Sequence, residues 1–422
     1  MNATRARPVG SVPGTRRTEL LATSGGPMIR LSLLAAGAGL FVLDLDLGAL
    51  QLPASWPLAS MVWLLVAATW ALPAGTVAFR RLFDVPALNG GAMWFLALFL
   101  LGVTSSIWSV HPVRTAILAA LAALTFTGGW ALASWAGWFR VVRLASLALL
   151  AFLGLGLLRD VLLSSLLSSL PSVFSGQLRM SGLTFSPTYL GRTASFGLVF
   201  ALIATTSTVG RERKVHILAA AVALTAQLSS GTRLITAALV GLGLLALLRR
   251  RSITGLALLG LLALAVTAAA TAPEGLVRAV GRSGEADYHV LEIGGRLPIW
   301  ELGLDLWSER PLLGYGWGAN ESVFNEAHMR DELAFRAFTA HNMLMGVLVD
   351  VGIIGATLLV GGFVALWRSA RGTASAMFVL LLVLITGTTE ATFVRTSLVF
   401  AVIGMLASRE RAERYEVAEG SG

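Results

Sequence analysis

The chain has 422 residues, of which 56% are hydrophobic and only 13% charged, with no cysteine and a formal net charge of +9. Soluble domains carry roughly a quarter of their residues charged, so this composition excludes an ordinary soluble enzyme and puts the chain in a lipid bilayer. The lack of cysteine excludes a disulfide framework and a thiolate metal site.

Residues 1–27 are polar, hold Pro8, Pro13 and Pro27, and read as a disordered cytoplasmic tail. The first apolar run starts too late and runs too long for a cleaved signal peptide. A hydrocarbon core of about 30 Å needs about 20 apolar residues per helical span. Runs of that kind begin near Met28, Leu58, Ala87, Val113, Val141, Thr188, Lys214, Thr232 and Ser252, within residues 28–272. Further runs begin near Asn342, Ala374 and Thr392, within 341–408, and residues 409–422 form a C-terminal tail. The expected fold is an all-α polytopic membrane protein of about 12 transmembrane helices, with one large extracytoplasmic loop between the ninth and tenth.

Arginines alternate across the breaks between these runs. Arg5, Arg7, Arg16, Arg17 and Arg30 precede the first; Arg80 and Arg81, Arg140 and Arg143, Arg211 to Lys214, Arg249 to Arg251, Arg368 and Arg371, then Arg409, Arg411 and Arg414 occupy every second break. Retained Lys and Arg mark the cytoplasmic side, so both termini are expected there. The same asymmetry accounts for most of the basic charge. With no nucleic-acid motif present, nucleic acid is excluded as a partner.

On the outer side most connections are short. Val161 to Pro187 is a Ser/Leu-rich amphipathic segment, and residues 273–340 form a loop long enough to carry function. Inside that loop Pro298 stands at a first-turn position before Ile299, Trp300, Leu302, Leu304 and Leu306, which predicts a short amphipathic helix ended by Pro311. Gly314, Gly316 and Gly318 then permit positive φ or close approach of backbone to a ligand, although the same spacing makes an ordinary tight turn.

Every outward basic residue is an arginine, Arg192, Arg233 and Arg296 among them, and a planar guanidinium suits bidentate capture of phosphate. The inner side is equally poor in lysine, with Lys214 alone, so a general bias toward arginine explains that pattern as well. The long loop is net acidic, so any anion site must be built from particular arginines. Arg233 sits in the very short outward turn Ser229-Ser230-Gly231-Thr232-Arg233, where a charge at the hydrocarbon edge is costly unless it snorkels or is paired.

His341 and Asn342 open the tenth run at the same face. Of the other histidines, His216 lies on the cytoplasmic side, His111 in a short turn, and His289 and His328 in the long loop. No HExxH or comparable ligand spacing exists, so no metal site is expected. Asp350 lies about 13.5 Å deeper than His341 on an ideal helix and on its opposite face, so it suits a partner on another helix.

In order along the chain, Ser105-Ser106-Ile107-Trp108-Ser109, Gly182-Leu183-Thr184-Phe185 with Gly191, Ser230-Gly231-Thr232-Arg233, Gly295-Arg296-x-x-Ile299-Trp300, Pro311-Leu312-Leu313-Gly314-Tyr315-Gly316-Trp317-Gly318, and Ala340-His341-Asn342 followed by Asp350-Val351-Gly352-Ile353-Ile354-Gly355 resemble the motifs of the O-antigen ligase and polymerase family. The last three blocks together carry the specificity. The resemblance implies transfer of a glycan from an undecaprenyl-diphosphate carrier to a hydroxyl of a glycan, lipid or other acceptor, on the extracytoplasmic face of the plasma (inner) membrane, without cofactor or metal. It matches Arg233 and Arg296 to the arginines that hold the diphosphate and His341 to the catalytic histidine. Asn342, Arg192 and Tyr315 are further candidates for substrate contact. Asp350 falls on an acidic position that is usually glutamate, and Ser186-Pro187-Thr188 departs from the His-Pro-Asn-like sequence common there.

Ligase and polymerase differ only in the acceptor, and these motifs leave both open. A twelve-span transporter or lipid flippase is the alternative class. Against it, Arg80-Arg81-Leu82-Phe83-Asp84 lacks the charged motif of major-facilitator transporters, and the long loop is external.

Overall fold

Long runs of Ala, Leu and Val with prolines confined to first turns favour helix over any alternative in lipid, and each regular element among the described residues is helical. The computed structural model describes residues 90–167, 182–184, 187–230, 232, 239, 241, 296–329, 340–371, 373–389 and 398–408. In chain order these form α1 (Gly90–Thr104) with a 3-10 turn (Ser105–Ile107), α2 (Pro112–Ala136), α3 (Trp138–Leu167), α4 (Pro187–Thr206) and α5 (Gly210–Ser230). After the described part of the long loop begins come α6 (Arg296–Glu309), α7 (Asn320–Met329), α8 (Met343–Ala370), α9 (Ala374–Thr389) and α10 (Leu398–Ser408).

Five of these segments, Gly90–Ile107, Pro112–Ser134, Trp138–Leu162, Thr188–Thr206 and Met343–Ala370, are long and apolar enough to cross a membrane. The chain is a multi-pass membrane protein. The runs expected from Ala87, Val113, Val141, Thr188, Lys214, Asn342 and Ala374 fall on α1 to α5, α8 and α9. Those from Met28, Leu58 and Ser252, most of those from Thr232 and Thr392, and both tails lie outside the described residues. One boundary moves: α3 continues to Leu167, past Val161, because no proline or glycine interrupts the Leu/Ser sequence there.

Apolar side chains gain little by leaving lipid for each other, so helices in a bilayer associate through close packing at small residues. α1 runs antiparallel to α8 in that way. Gly91 faces Leu366, while a Cβ on Gly361 or Gly362 would come within 2.7 Å of the ring of Trp94 or Phe95. α2 and α10 cross more tightly still: a Cβ on Gly129 would fall 2.1 Å from the carbonyl oxygen of Ala401, and one on Gly404 2.0 Å from that of Phe126. Phe95, Phe99, Phe126 and Phe400 fill the space between these pairs with tilted and edge-on contacts.

α3, α4 and α5 form an antiparallel group packed through Gly197, which meets Leu153 and Ala223. The Trp138 indole donates to Ser375 Oγ at 3.3 Å, and Arg143 donates to Ser207. These bonds put the start of α3, the α4–α5 turn and the end of α8 at one end of the molecule. Arg140, Arg143, Arg211, Arg213, Lys214, Arg368 and Arg371 therefore gather there, and the start of α4, the α1–α2 turn, α6 and α7 lie at the opposite end.

α8 is broken. Val351 (φ −132°, ψ 19°) and Gly352 (φ 66°, ψ −165°) leave helical geometry between two straight segments. Residues 353–370 alone rise about 27 Å, close to the hydrocarbon thickness of about 30 Å. Gly352 sits in a region of φ/ψ open to glycine, and a Cβ there would lie 2.2 Å from the Leu312 carbonyl oxygen. Gly352→Ala is therefore expected to destabilise the protein by more than the about 1–3 kcal/mol of backbone strain alone. Gly346→Ala, whose nearest neighbour would be 3.8 Å away, should be neutral. Thermal unfolding of the two variants in detergent checks the contrast, and equal stability would contradict the break.

Candidate active site

A broken helix exposes backbone groups that lipid cannot hydrogen-bond, so the break must be satisfied by protein. Here the segment Pro311–Gly318 does it. Tyr315 N–H donates to the Val349 carbonyl (3.0 Å), Gly316 N–H to the Asp350 carbonyl (2.7 Å), and Ile353 N–H to the Pro311 carbonyl (2.9 Å). The other side of the same segment is held by the α1–α2 turn. Trp108 Nε1 donates to the Leu313 carbonyl (3.1 Å), Val110 N–H to that of Tyr315 (3.2 Å), Trp317 N–H to Ser105 Oγ (3.0 Å) and Thr115 Oγ1 to the Trp317 carbonyl (2.9 Å). A Cβ on Gly316, at φ 108°, would fall 2.3 Å from Ser109, so glycine there serves close backbone approach. Trp317 is buried edge-on against Phe99. The motifs at 105–109, 311–318 and 350–355 are thus one hydrogen-bonded unit.

Asp350 is buried at the last residue before the break, and its carboxylate accepts from Gly318 N–H (2.9 Å), Asn320 N–H (2.8 Å) and Asn320 Nδ2 (2.9 Å). Asn320 opens α7, so the charge sits where a helix N-terminus offers unpaired N–H groups. A partner on another helix, as the spacing from His341 implies, is what α7 supplies. On its other flank α7 is tied to α2, where Arg114 pairs with Glu321 and donates to Ser322 Oγ (3.4 Å). α7 itself is not among the elements read from sequence, although Asn320-Glu321 is a helix-start pattern.

α6, α7 and the first two turns of α8 share a small core of Ile299, Leu306, Tyr315, Val323, Phe324 and Val349. α6 begins at Arg296 and ends at Glu309, before Pro311. Gly303 lets it approach α8: a Cβ would fall 2.9 Å from Met345 and 3.4 Å from Phe324. The Trp300 indole donates to the Ala340 carbonyl at 3.0 Å, immediately before His341. Arg296 is one turn earlier on the same helical face. The structure therefore brings Arg296 and His341 to the same end of the α6–α8 pair.

His341 is half-buried at φ 47°, the one non-glycine residue with positive φ among the described residues. A side chain in the left-handed region carries strain that the surroundings must hold. Asn342 supplies part of that hold: in extended conformation (φ −155°, ψ 127°), its Oδ1 accepts from Leu344 N–H (2.9 Å) and Met345 N–H (3.1 Å), which makes it the N-cap of α8. Tyr315 is buried, with its hydroxyl donating to Glu309 and its ring 4.6 Å from the Arg310 guanidinium. Both side chains thus have structural duties, of which the Asn342 cap alone has a local sequence signal.

Of the remaining arginine candidates, Arg192 lies on α4. Arg192 is buried with its guanidinium 4.3 Å from the Tyr189 ring centroid. Beside it Ser195 Oγ donates to Gln227 Oε1 (2.9 Å) and Gln227 Nε2 to Thr232 Oγ1 (2.9 Å), while Ser230 and Thr232 hydroxyls lie 2.8 Å apart. A Cβ on Gly191 would fall 2.1 Å from Thr232 Oγ1. The turn is thereby seated against Gly191-Arg192. Arg233, the next residue in the chain, lies outside the described residues. α9 packs against both α4 and α8, and its Gly387 meets Met343 beside the His341 end.

Asn342→Ala removes both capping bonds and should cost about 1 kcal/mol. Asn342→Asp, which caps comparably, should restore the stability. Thermal unfolding of the pair checks the role, and an unchanged alanine variant would contradict it.

A family model described as O-antigen ligase matches residues 215–360, a span that runs from α5 into α8 and takes in Arg233, Arg296, the 311–318 segment, His341 and Asp350. No curated protein matches the chain. Residues 215–360 are thus similar to the O-antigen ligase family, the same family that the motifs resemble.

Proposed function

We propose that the protein is a ligase that moves a glycan from an undecaprenyl-diphosphate carrier to an acceptor hydroxyl at the extracytoplasmic face of the inner membrane, in cell-surface polysaccharide assembly. The observation that carries the reading is the bond from Trp300 to the Ala340 carbonyl, which holds the Arg296 end of α6 beside His341. The family match supplies the reaction class.

In this reading the diphosphate oxygens lie against Arg296 and Arg233, whose guanidinium forks stabilise the negative charge that grows as the sugar–phosphate bond breaks. Arg192 lies beside the turn that leads to Arg233 and adds to the positive potential there. The acceptor hydroxyl attacks the anomeric carbon, its proton passes to the His341 imidazole, and undecaprenyl diphosphate leaves. Imidazole suits that task because it exchanges a proton near neutral pH. Direct attack inverts the configuration at the sugar. No metal enters the proposed steps, and the residues named suffice for charge stabilisation and proton transfer.

His341→Ala should lower turnover by about 10²–10⁴-fold with donor binding largely kept. Arg296→Lys and Arg233→Lys should each lower transfer in a folded protein, because an ammonium cannot reproduce the bidentate geometry. Transfer assays with a labelled undecaprenyl-diphosphate glycan in detergent measure both. Near-parent turnover in His341→Ala would remove His341 from the mechanism.

Sidedness is tested separately. The chain has no cysteine, so a single introduced thiol reports alone. Ser308→Cys, at an exposed position of α6, should react with a membrane-impermeant maleimide in intact cells, and Val209→Cys, at an 84% exposed residue of the α4–α5 turn, should be protected. The reverse pattern would overturn the extracytoplasmic placement.

A further inference from the structure

We propose that Asp350 is a positioning residue for the transfer: without touching substrate, its carboxylate sets where Arg296 stands relative to His341. The inference rests on the reaction assigned above and adds a residue to it.

Asp350 joins two rigid paths. One runs up α8 through two turns to Asn342 and His341. The other crosses from the carboxylate to Gly318 and Asn320, through α7 to Phe324, and from Phe324 to Gly303 of α6, the helix that starts at Arg296. The bond from Trp300 to Ala340 closes the figure. Removing Asp350 leaves α7 tied through Arg114, which fixes its outer flank and not its register on α8.

The side chain suits that duty. Three N–H donors converge on it, and a carboxylate offers acceptors alone, whereas an amide would turn its own NH2 toward one of them. A buried carboxylate is costly to desolvate, and the three donors offset that cost, whereas an apolar residue would leave them unsatisfied. Its place at the break adds to the argument: the Asp350 main-chain carbonyl accepts from Gly316 while its side chain accepts from Gly318, so one residue fixes two points of the glycine turn on α8.

The test is a double-mutant cycle on the purified full chain in detergent, with Asp350→Asn, Arg296→Lys and the two combined, reading kcat and donor KM with a labelled undecaprenyl-diphosphate glycan. Misplacement of a binding group by about 1 Å costs up to about 10²-fold, so Asp350→Asn is expected to lower kcat by roughly 10- to 100-fold per folded molecule. Once Arg296 is out of place, changing it costs little more, so the combined variant should fall no more than about 2-fold below the worse single variant. Multiplicative losses, or parent kcat in Asp350→Asn, would overturn the proposal. Parent turnover in Arg296→Lys alone would instead remove the diphosphate reading on which it stands. Should Asp350→Asn fail to fold, Asn320→Ala, which keeps the carboxylate and deletes one donor, must show the same coupling to Arg296→Lys in smaller degree; additivity there overturns the proposal equally.

Discussion

The docking of Pro311–Gly318 into the break of α8 is the constraint on which the rest of the site depends. A helix that ended its ladder at Val349 and Asp350 in lipid would leave carbonyls with no donor, at a cost of several kcal/mol each. The glycine-rich segment fills that need with Tyr315 and Gly316 N–H groups, and the Ile353 N–H returns a bond to Pro311. Each part thus satisfies backbone groups of the other. Because the α1–α2 turn grips the opposite side of the segment, the antiparallel packing of α1 on α8 also sets the level at which the site forms.

From that junction the two groups of the proposed chemistry, His341 and Arg296, stand on rigid elements. Asn342 caps α8 and helps hold His341 in a left-handed conformation. α6 lies against α8 through Gly303 and Trp300, which brings Arg296 to the same end. Ser195 of α4, Gln227 and Ser230 of α5, and Thr232 just beyond it bond one another inside the bundle. Intramembrane polar groups are expensive unless paired, and these four pair with one another.

Much of the described fold is legible in the sequence. Apolar runs from Val113, Thr188 and Ala374 match helix starts at Pro112, Pro187 and Ala374, since composition and first-turn prolines act locally. The helix after Arg296 is legible for the same reason. The break in α8 is not: Val351 and Gly352 sit in an apolar run, and glycine in a membrane helix more often serves close packing. The break becomes necessary only once Leu312 occupies the space beside Gly352. At the site, residue types identify His341 and the arginines as candidates, and an Asn before an apolar run is a readable cap for α8, but Asp350 as the anchor of α7 depends on Gly318 and Asn320, partners distant in the chain. Those partners are fixed by tertiary contact and leave no local period to read.

The most direct test of the central claim is an experimental structure of the protein bound to a slowly reacting undecaprenyl-diphosphate glycan. The account predicts the diphosphate within hydrogen-bond reach of Arg296, with the anomeric carbon facing His341 and the 311–318 segment still bonded to the break. A diphosphate bound at the opposite end, among Arg140, Arg143 and Arg368, or a segment released from α8 in the bound state, would contradict it.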